Sequence, residues 1–326
     1  MNRSNAATVD AEPSFVGSIG NGIRVVDTGF HRPLFDAAYL IVERGRAAFI
    51  DTGTNDAVPR LLAALAGAGI GVDAVDYVIA THVHLDHAGG AGLLMQHLPN
   101  ARLVVHRRGA RHLVDPRRLV HSATGVYGEE EIARSYGSLV PVPADRVVTT
   151  ADDTTIELAG RPLRCLDTPG HAMHHHCIWD EASRAFFTGD TFGLSYRDFD
   201  TALGVWIMPT TTPVQFQPEA LRRSIERMLA FAPAHMHLTH FGRVGDVPRL
   251  GALLLAQLDE VVAFARTTQP GPERHDLLVR GLEAIHLASL RAHGVTLADA
   301  HIRELLALDL ELNAQGLAIW LDRRKH

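Results

Sequence analysis

Short hydrophobic runs alternate with longer segments of helical spacing through the first half of the chain. Strands are predicted at residues 23–28, 37–43, 46–51, 77–80 and 102–105. Leucines at helical spacing predict a helix over 56–68, and further helices are expected at 88–97 and 127–136. This order of strand, helix and strand is typical of βαβ units.

The pattern changes after residue 146, where short runs are separated by turn-forming residues. A second sheet is predicted, with strands at 147–150, 154–158, 163–167, 176–180, 185–188 and 235–240. A helix is predicted at 213–231, between the last two of these strands. After residue 245 the pattern is helical only, with helices expected at 249–266, 275–293 and 297–322.

The chain is therefore expected to divide into three parts. Residues 1–22 are predicted to form a flexible tail, residues 23–246 an α+β domain, and residues 247–326 a helical appendage. Such an appendage of roughly 80 residues can pack on a core domain but is marginal as an independent unit. We expect it to cover the cleft of the main domain or to mediate dimerisation.

Composition and charge narrow the class of protein. The 326 residues are 46% hydrophobic and 21% charged, as in an ordinary globular protein. The net charge of −6 offers no broad cationic face, so nucleic acid is not an expected partner. The most apolar segments contain acidic residues that are costly in a bilayer, so no membrane partner is expected. A polar N-terminus and two cysteines without metal-binding spacing predict a cytoplasmic protein.

One segment carries a concentration of metal-ligand side chains. His82, His84, Asp86 and His87 follow a predicted strand and precede the turn at 89–90. A loop at a strand end can direct His82 and His84 towards one ion, and Asp86 and His87 towards a second. Imidazole and carboxylate without thiolate suit zinc, iron or manganese. The spacing HxHxDH in this context is far more specific than a histidine-rich surface loop, which is the alternative interpretation.

Further motifs complete a resemblance to a known family. Thr168-Pro169-Gly170-His171, Phe187-Thr188-Gly189-Asp190-Thr191 and Leu238-Thr239-His240 each end a predicted strand. Together with His82-Val83-His84-Leu85-Asp86-His87, they occur in the order found in metallo-β-lactamase-fold hydrolases, which include glyoxalase II, lactonases and several phosphodiesterases. The chain resembles this family over about residues 23–245. The resemblance implies a four-layer αββα sandwich with its metals at one edge, followed by the all-helical appendage.

The resemblance also implies a dinuclear site. His82, His84 and His171 would hold one ion, Asp86, His87 and His240 would hold the other, and Asp190 would bridge both. Behind them, Asp51 would orient a metal-bound imidazole, and His175 would support His171. Two divalent ions are expected, with zinc favoured over iron and manganese. Asp190 and Asp86 are the predicted catalytic residues, with a secondary role in proton transfer for Asp86.

Substrate contacts are predicted from the segment after Asp190. Phe192, Tyr196, Arg197 and Trp206 would form an apolar wall with one cation. Arg243 is a candidate contact for a carboxylate or phosphate, although an ion pair with Asp246 is an equally favoured interpretation. The lysine- and arginine-bearing motif by which glyoxalase II binds glutathione is not recognisable in residues 249–326. We therefore do not expect glutathione thioesters as substrates.

The predicted function is hydrolysis of an ester-like bond in a small molecule by a hydroxide that bridges two metal ions. The bond would be a carboxylic ester, lactone, thioester or phosphodiester. Two alternatives remain: a mononuclear iron enzyme similar to persulfide dioxygenases, and a non-catalytic metal-binding regulatory protein. A flavodiiron enzyme is disfavoured because that group carries glutamate where this chain has His84. A homodimer is also predicted, on the basis of the apolar C-terminal helices.

Overall fold

The computed structural model describes residues 13–323, in which thirteen strands form two sheets. The first sheet contains, in spatial order, β1 (Val16–Gly20), β2 (Ile23–Asp27), β3 (Ala37–Glu43), β4 (Arg46–Ile50), β5 (Val75–Ala80), β6 (Arg102–His106) and β7 (Val147–Thr150). The second sheet has the order β13 (Gly242–Val244), β12 (His235–Leu238), β11 (Ala185–Gly189), β10 (His176–Asp180), β9 (Arg161–Asp167) and β8 (Thr154–Leu158).

Ten α-helices connect and cover these sheets in the described part of the chain. They are α1 (Val58–Gly67), α2 (Leu85–Ala88), α3 (Ala91–His97), α4 (Ala110–Val114), α5 (Arg117–Tyr127), α6 (Glu129–Ser135), α7 (Pro218–Leu229), α8 (Val247–Thr267), α9 (Arg274–Ala292) and α10 (Asp299–Arg323). None of the helices within residues 13–323 is long and apolar enough to cross a membrane.

The direction of the strands places their ends at a common edge. Strands β1 to β4 are antiparallel, whereas β4, β5, β6 and β7 run parallel and are joined by helices. In the second sheet only β11 and β12 run parallel, joined by α7. The predicted βαβ units are therefore present, and loops that follow parallel strands emerge together at one edge.

The hydrophobic core consists of three clusters of buried side chains, one between the sheets and one on the outer face of each sheet. Between the sheets, Tyr39, Ile50 and Ile79 of the first sheet pack against Ile178 and Phe187 of the second. The outer face of the first sheet is covered mainly by α1 and α3, and the outer face of the second by α7 and α8. The predicted α+β sandwich of four layers with a C-terminal helical part is confirmed.

The C-terminal helices are fastened to the main domain by buried polar contacts. Asn313 of α10 accepts a hydrogen bond from the Thr211 backbone N–H through its Oδ1, at 2.6 Å. A Cβ atom on Gly316 would lie 1.7 Å from the Thr211 carbonyl oxygen, so only glycine permits this close approach. On α9, the Ser289 hydroxyl accepts a 2.9 Å hydrogen bond from the Trp206 indole. These contacts hold α10 beside the edge where the strands end.

Three sequence-based element predictions differ from the structure. Residues 16–20, predicted as part of the tail, pair with β2 as strand β1, while residues 1–12 of that tail lie outside the described residues. Helices α4 and α5 were not predicted, because Pro116 and a run of mixed polarity obscure the helical spacing. Helix α7 begins at Pro218, since proline is favoured in the first turn of a helix and cannot continue one from upstream.

Candidate metal centre

The seven predicted ligands come from four loops at the common edge of the sheets. His82 and His84 lie in the loop after β5, and Asp86 and His87 lie in the short helix α2 that follows it. The other three ligands, His171, Asp190 and His240, follow β9, β11 and β12. The turn after α2 packs tightly: a Cβ on Gly90 would lie 2.6 Å from the Thr54 carbonyl oxygen. Strand direction and this close packing bring distant parts of the chain to one point.

The first group of ligands is His82, His84, His171 and Asp190, whose ligand atoms all lie within 4.8 Å of one another. The Nε2 atom of His171 is 3.3 Å from Nε2 of His82 and 3.0 Å from Nδ1 of His84. Nitrogen ligands of a tetrahedral zinc ion, with bonds of about 2.0–2.1 Å, stand about 3.3 Å apart. The spacing of these three imidazoles fits a shared metal ion.

The second group is Asp86, His87 and His240, also within 4.8 Å. The Asp86 Oδ2 atom lies 3.5 Å from Nε2 of His87 and 3.4 Å from Nε2 of His240. Asp190 faces both groups: its Oδ1 is 3.1 Å from His87 Nε2, and its Oδ2 is 3.4 Å from His171 Nε2. One carboxylate therefore presents one oxygen to each group, which is the arrangement that a bridging ligand requires.

Most ligand imidazoles are oriented through the nitrogen that does not face the cluster. His87 Nδ1 lies 2.9 Å from the Asp51 carboxylate, and His240 Nδ1 lies 2.9 Å from the Phe35 carbonyl oxygen. Hydroxyl groups contact Nδ1 of two further ligands: Thr81 Oγ1 lies 3.2 Å from His82 Nδ1, and Thr212 Oγ1 lies 3.3 Å from His171 Nδ1. Such partners fix the ring and its tautomer in metal sites.

Two buried atoms at the centre of the cluster are Nε2 of His87 and Oδ1 of Asp190. They lie 3.1 Å apart, but neither forms a well-oriented hydrogen bond with the other or with any further described residue. Buried polar atoms of this kind carry a free-energy cost of about 1–3 kcal/mol each unless something else engages them. A divalent cation bound by these atoms would remove that cost, so the donor set fits a metal ion.

The protonation of the first group also suits metal binding. Burial lowers the pKa of the His171 imidazole to about 3 and lowers the pKa values of His82 and His84. Burial opposes charge on Asp190 as well, but His87, His171 and His240 hold the pKa of that carboxyl well below its usual range. The group therefore offers neutral imidazole lone pairs and an ionised carboxylate at pH 7.

The two residues predicted to stand behind the ligands both contact the cluster. Asp51 accepts hydrogen bonds from the Thr81 backbone N–H at 2.8 Å and from the Thr239 hydroxyl at 3.0 Å, in addition to its contact with His87. His175 accepts a 3.3 Å hydrogen bond at Nε2 from the backbone N–H of Asp190. Thus His175 supports the loop of Asp190 directly.

Replacement of Asp51 by asparagine is expected to weaken one metal site selectively. Asparagine tolerates the left-handed backbone of Asp51, whose φ is +54°, but it cannot supply the same charge to His87. We expect the affinity at the Asp86, His87 and His240 group to fall about 10–100-fold. Metal content is measured after dialysis against increasing concentrations of chelator. The variant should lose one of its two ions at a concentration at which the wild type keeps both. Simultaneous loss of both ions would contradict this assignment.

A cavity that is open on one side adjoins the cluster, here called the inner cavity. About 40 Å³ of its volume lies inside the surface, and about 450 Å³ is counted when the space at its mouth is included. Its lining consists of four ligands (His84, Asp86, Asp190, His240), an apolar and aromatic wall (Phe30, Phe35, Tyr127, Tyr136, Leu194, Leu308, Leu312) and the polar residues Thr210, Thr212 and Asp309. No arginine or lysine of residues 13–323 is among the lining residues. Since Leu308, Asp309 and Leu312 belong to α10, the C-terminal appendage forms part of this wall.

The predicted substrate contacts lie elsewhere. Phe192 and Trp206 are fully buried in the core that joins the second sheet to the C-terminal helices. Arg197 bonds to the Ser195 carbonyl oxygen, and Arg243 bonds to the Ile19 carbonyl oxygen at 2.9 Å. None of these four lines the inner cavity. Tyr196 reaches it indirectly, because its hydroxyl lies 3.1 Å from both carboxylate oxygens of Asp309.

Several residues of the inner cavity were missed by the sequence analysis. Phe30 and Phe35 follow β2, Tyr127 ends α5, and Asp309 lies in the middle of α10. The one available signal was the polar Asp309 in an otherwise apolar stretch of helix, because a buried carboxyl in such a position needs a partner or a role. Burial raises the pKa of Asp309 to about 7.

Comparison with known proteins agrees with this geometry. A family model described as the metallo-beta-lactamase superfamily matches residues 31–249. The chain belongs to this superfamily. Among curated relatives, the metallo-beta-lactamase fold-containing protein ST1585 of Sulfurisphaera tokodaii is 32% identical over 162 residues, 48% of this chain and 58% of that protein. A hydroxyacylglutathione hydrolase of Stenotrophomonas maltophilia is 25% identical over 87% of this chain and 92% of its own length.

A third curated relative and a solved structure extend the comparison. The thioesterase pkgB of Emericella nidulans is 30% identical, but the matched segment spans only 36% of this chain and 24% of the thioesterase. The chain thus spans 58% of ST1585 and 24% of the thioesterase, whereas its match covers 92% of the hydroxyacylglutathione hydrolase. The crystal structure of ST1585 from Sulfolobus tokodaii matches 92% of this chain and 99% of its own length, with a TM-score of 0.65 and 22% identity. At that identity the likeness shows the fold alone.

Proposed function

We propose that the protein is a hydrolase that uses two divalent metal ions to cleave a carboxylic ester or thioester. The observation that carries this proposal is the shared carboxylate of Asp190, which faces two complete ligand groups beside an apolar cavity. The dioxygenase alternative needs only one ion, whereas both groups have all their predicted ligands. Two of the relatives are a hydroxyacylglutathione hydrolase and a thioesterase, which supports hydrolysis of acyl compounds.

The charge of the cavity favours an acyl substrate over a phosphodiester. Apart from the ligands, the one ionisable carboxyl in the lining is Asp309, and the lining contains no arginine or lysine within the described chain. Enzymes that act on phosphoryl groups use cationic side chains to stabilise the negative charge of the transition state. The inner cavity of this protein instead offers apolar contact on most sides, which suits the uncharged acyl part of an ester or thioester.

The chain's own residues hold, orient and enclose the reactants. The chemistry that two bound divalent ions supply is acidification of water and polarisation of a carbonyl group. Asp190 keeps the two ligand groups at a constant separation, and Asp51 prevents rotation of His87. Leu308 and Leu312 of α10 exclude bulk water from the cavity. Burial raises the pKa of Tyr127, so its hydroxyl stays protonated and remains a hydrogen-bond donor in the cavity wall.

A substrate comparison tests this function. The protein loaded with zinc or manganese is assayed with p-nitrophenyl butyrate, with the N-acetylcysteamine thioester of hexanoic acid, and with bis-p-nitrophenyl phosphate. We expect hydrolysis of the ester and the thioester, at least about tenfold slower hydrolysis of the phosphodiester, and loss of activity on chelation that metal restores. Absence of ester and thioester hydrolysis by the loaded protein, or activity that chelation leaves intact, would overturn the proposal.

A further inference from the structure

A second depression, here called the outer groove, continues from the inner cavity towards the surface. The two share His84, Tyr127 and Thr212, so they meet at the metal cluster. The groove is open along its length: about 140 Å³ of its volume lies inside the surface, and about 770 Å³ is counted when the space at its mouth is included. One side is formed by Leu119, Ser122, Ala123 and Val126 of α5, and the other by Pro213, Val214 and Gln215.

The outer groove leads to a surface depression rich in arginine. Ser122 lines both the groove and this arginine depression, whose other lining residues are Asp115, Arg117, Arg118 and His121. Residues 107–118 contain five arginines and a single acidic residue, although the chain as a whole has a net charge of −6. Such local segregation of positive charge attracts anionic ligands.

Arg111 and Arg118 lie at the mouth of the groove. Arg117 is paired with Asp115. Arg118, by contrast, is exposed and lines the arginine depression. Arg111 Nε lies 3.3 Å from Nε2 of His112, which lines the groove. Arg118 borders the groove at its outer end, where Ser122 lines both depressions.

The outer groove itself suits a long arm of mixed polarity. Its apolar side chains alternate with hydrogen-bonding groups, including the Ser122 and Thr212 hydroxyls and the Gln215 amide. Gln215 is oriented by the Met173 backbone N–H, which donates to its Oε1 at 2.7 Å. The rim exposes Met173 and Val214, each about 40% accessible. A ligand that extends outward from the metal cluster would therefore meet apolar side chains and amide-binding groups first, and cationic side chains after them.

We infer that the substrate is an acyl thioester whose thiol carries a long amide-containing arm that ends in phosphate groups, the chemistry of coenzyme A thioesters. The acyl group lies in the inner cavity, the arm in the outer groove, and the phosphates against Arg111 and Arg118. In the reaction a water oxygen bonds to the acyl carbon, the carbon–sulfur bond breaks, and the thiolate takes a proton from the water. This inference rests on the proposed hydrolase function and names its substrate class.

Kinetics with two thioesters of the same acyl group test the inference. Hexanoyl-coenzyme A carries the phosphates, and the N-acetylcysteamine thioester of hexanoic acid lacks them. Arg111→Gln and Arg118→Gln are each expected to raise KM for hexanoyl-coenzyme A about tenfold with little change in kcat, because each removes a charged hydrogen bond to phosphate. Neither should alter kinetics with the short thioester. Arg102→Gln is the matched control, since Arg102 lies at the opposite end of β6.

Binding provides a readout that is independent of turnover. Desulfo-coenzyme A lacks the thiol that could itself bind a metal ion, and its binding is measured by calorimetry. We expect the wild type and Arg102→Gln to bind it alike, the two groove variants to bind it about tenfold more weakly, and added salt to weaken binding. Equal affinities in all four proteins, or no preference for the phosphorylated thioester, would overturn the inference while hydrolysis of the short thioester left the proposed function standing. Absence of both ester and thioester hydrolysis by the metal-loaded wild type would overturn the proposed function itself.

Discussion

Asp190→Asn is expected to lower kcat/KM at least about a thousandfold, which corresponds to about 4 kcal/mol of activation free energy. Asp190 presents one oxygen to each ligand group, and an amide keeps only one oxygen and no negative charge, so asparagine cannot serve both groups. The metal content should fall with the activity. Both quantities are measured on the same sample, by steady-state kinetics with the ester and by elemental analysis. Circular dichroism should show that the fold is retained.

Asp259→Asn is the matched control for this experiment. Asp259 is an exposed carboxylate on α8 that pairs with Arg222, and it lies outside the lining of the inner cavity. Its replacement should leave activity and metal content unchanged. His84→Ala is expected to behave as Asp190→Asn does, because His84 belongs to the first group. Wild-type activity in both ligand variants would contradict the site assignment.

Arg161→Met is expected to reduce the free energy of unfolding by about 3–5 kcal/mol. Arg161 of β9 is buried and donates a 2.9 Å hydrogen bond from Nε to Asp180 of β10. Its Nη1 also donates to the Asn21 carbonyl oxygen at 2.7 Å, which links the second sheet to the turn between β1 and β2. The variant would leave the Asp180 carboxylate buried without its partner. Urea unfolding followed by circular dichroism measures the change.

Two further variants distinguish this mechanism from a general effect of arginine removal. Arg164→Met changes the same residue type on the same strand, but Arg164 and its partner Asp153 are both exposed. Its cost should stay below about 1 kcal/mol. The double variant Arg161→Met/Asp180→Leu removes both charges and should recover part of the stability. A loss in Arg161→Met no larger than in Arg164→Met would contradict the importance of the buried pair.

The ligand residues could be predicted because their spacing is a local property. Four of them lie within six residues, and the other three each follow a strand whose hydrophobic pattern is readable from the sequence. Once the strands were predicted, their ends were expected at one edge. The division of the seven into two groups was implied by the resemblance to metallo-β-lactamase-fold hydrolases, and the structure brings the same residues together.

The substrate cavity could not be predicted in the same way because it depends on tertiary packing. Phe192 and Trp206 follow Asp190 closely, yet the C-terminal helices cover them and turn this segment into core. The wall of the inner cavity instead includes Phe35 and Asp309, which lie far apart in sequence. An amphipathic pattern shows that a helix has a buried face, but not which surface that face covers.

The same reasoning explains why the outer groove was not predicted. Helices α4 and α5 are short and of mixed polarity, and Pro116 separates them. Their arginines contribute little to the overall charge balance, since the remainder of the chain is acidic enough to make the total negative. Only the placement of α5 beside the metal cluster shows that this basic segment borders a groove.

The ratio of metal ions to protein tests the central claim most directly. Inductively coupled plasma mass spectrometry of the purified, unchelated protein measures both the identity and the number of the ions. The two ligand groups predict close to two ions per chain, of zinc, manganese or iron. A single iron per chain, unchanged when additional metal is supplied, would contradict the dinuclear hydrolase and favour the dioxygenase alternative.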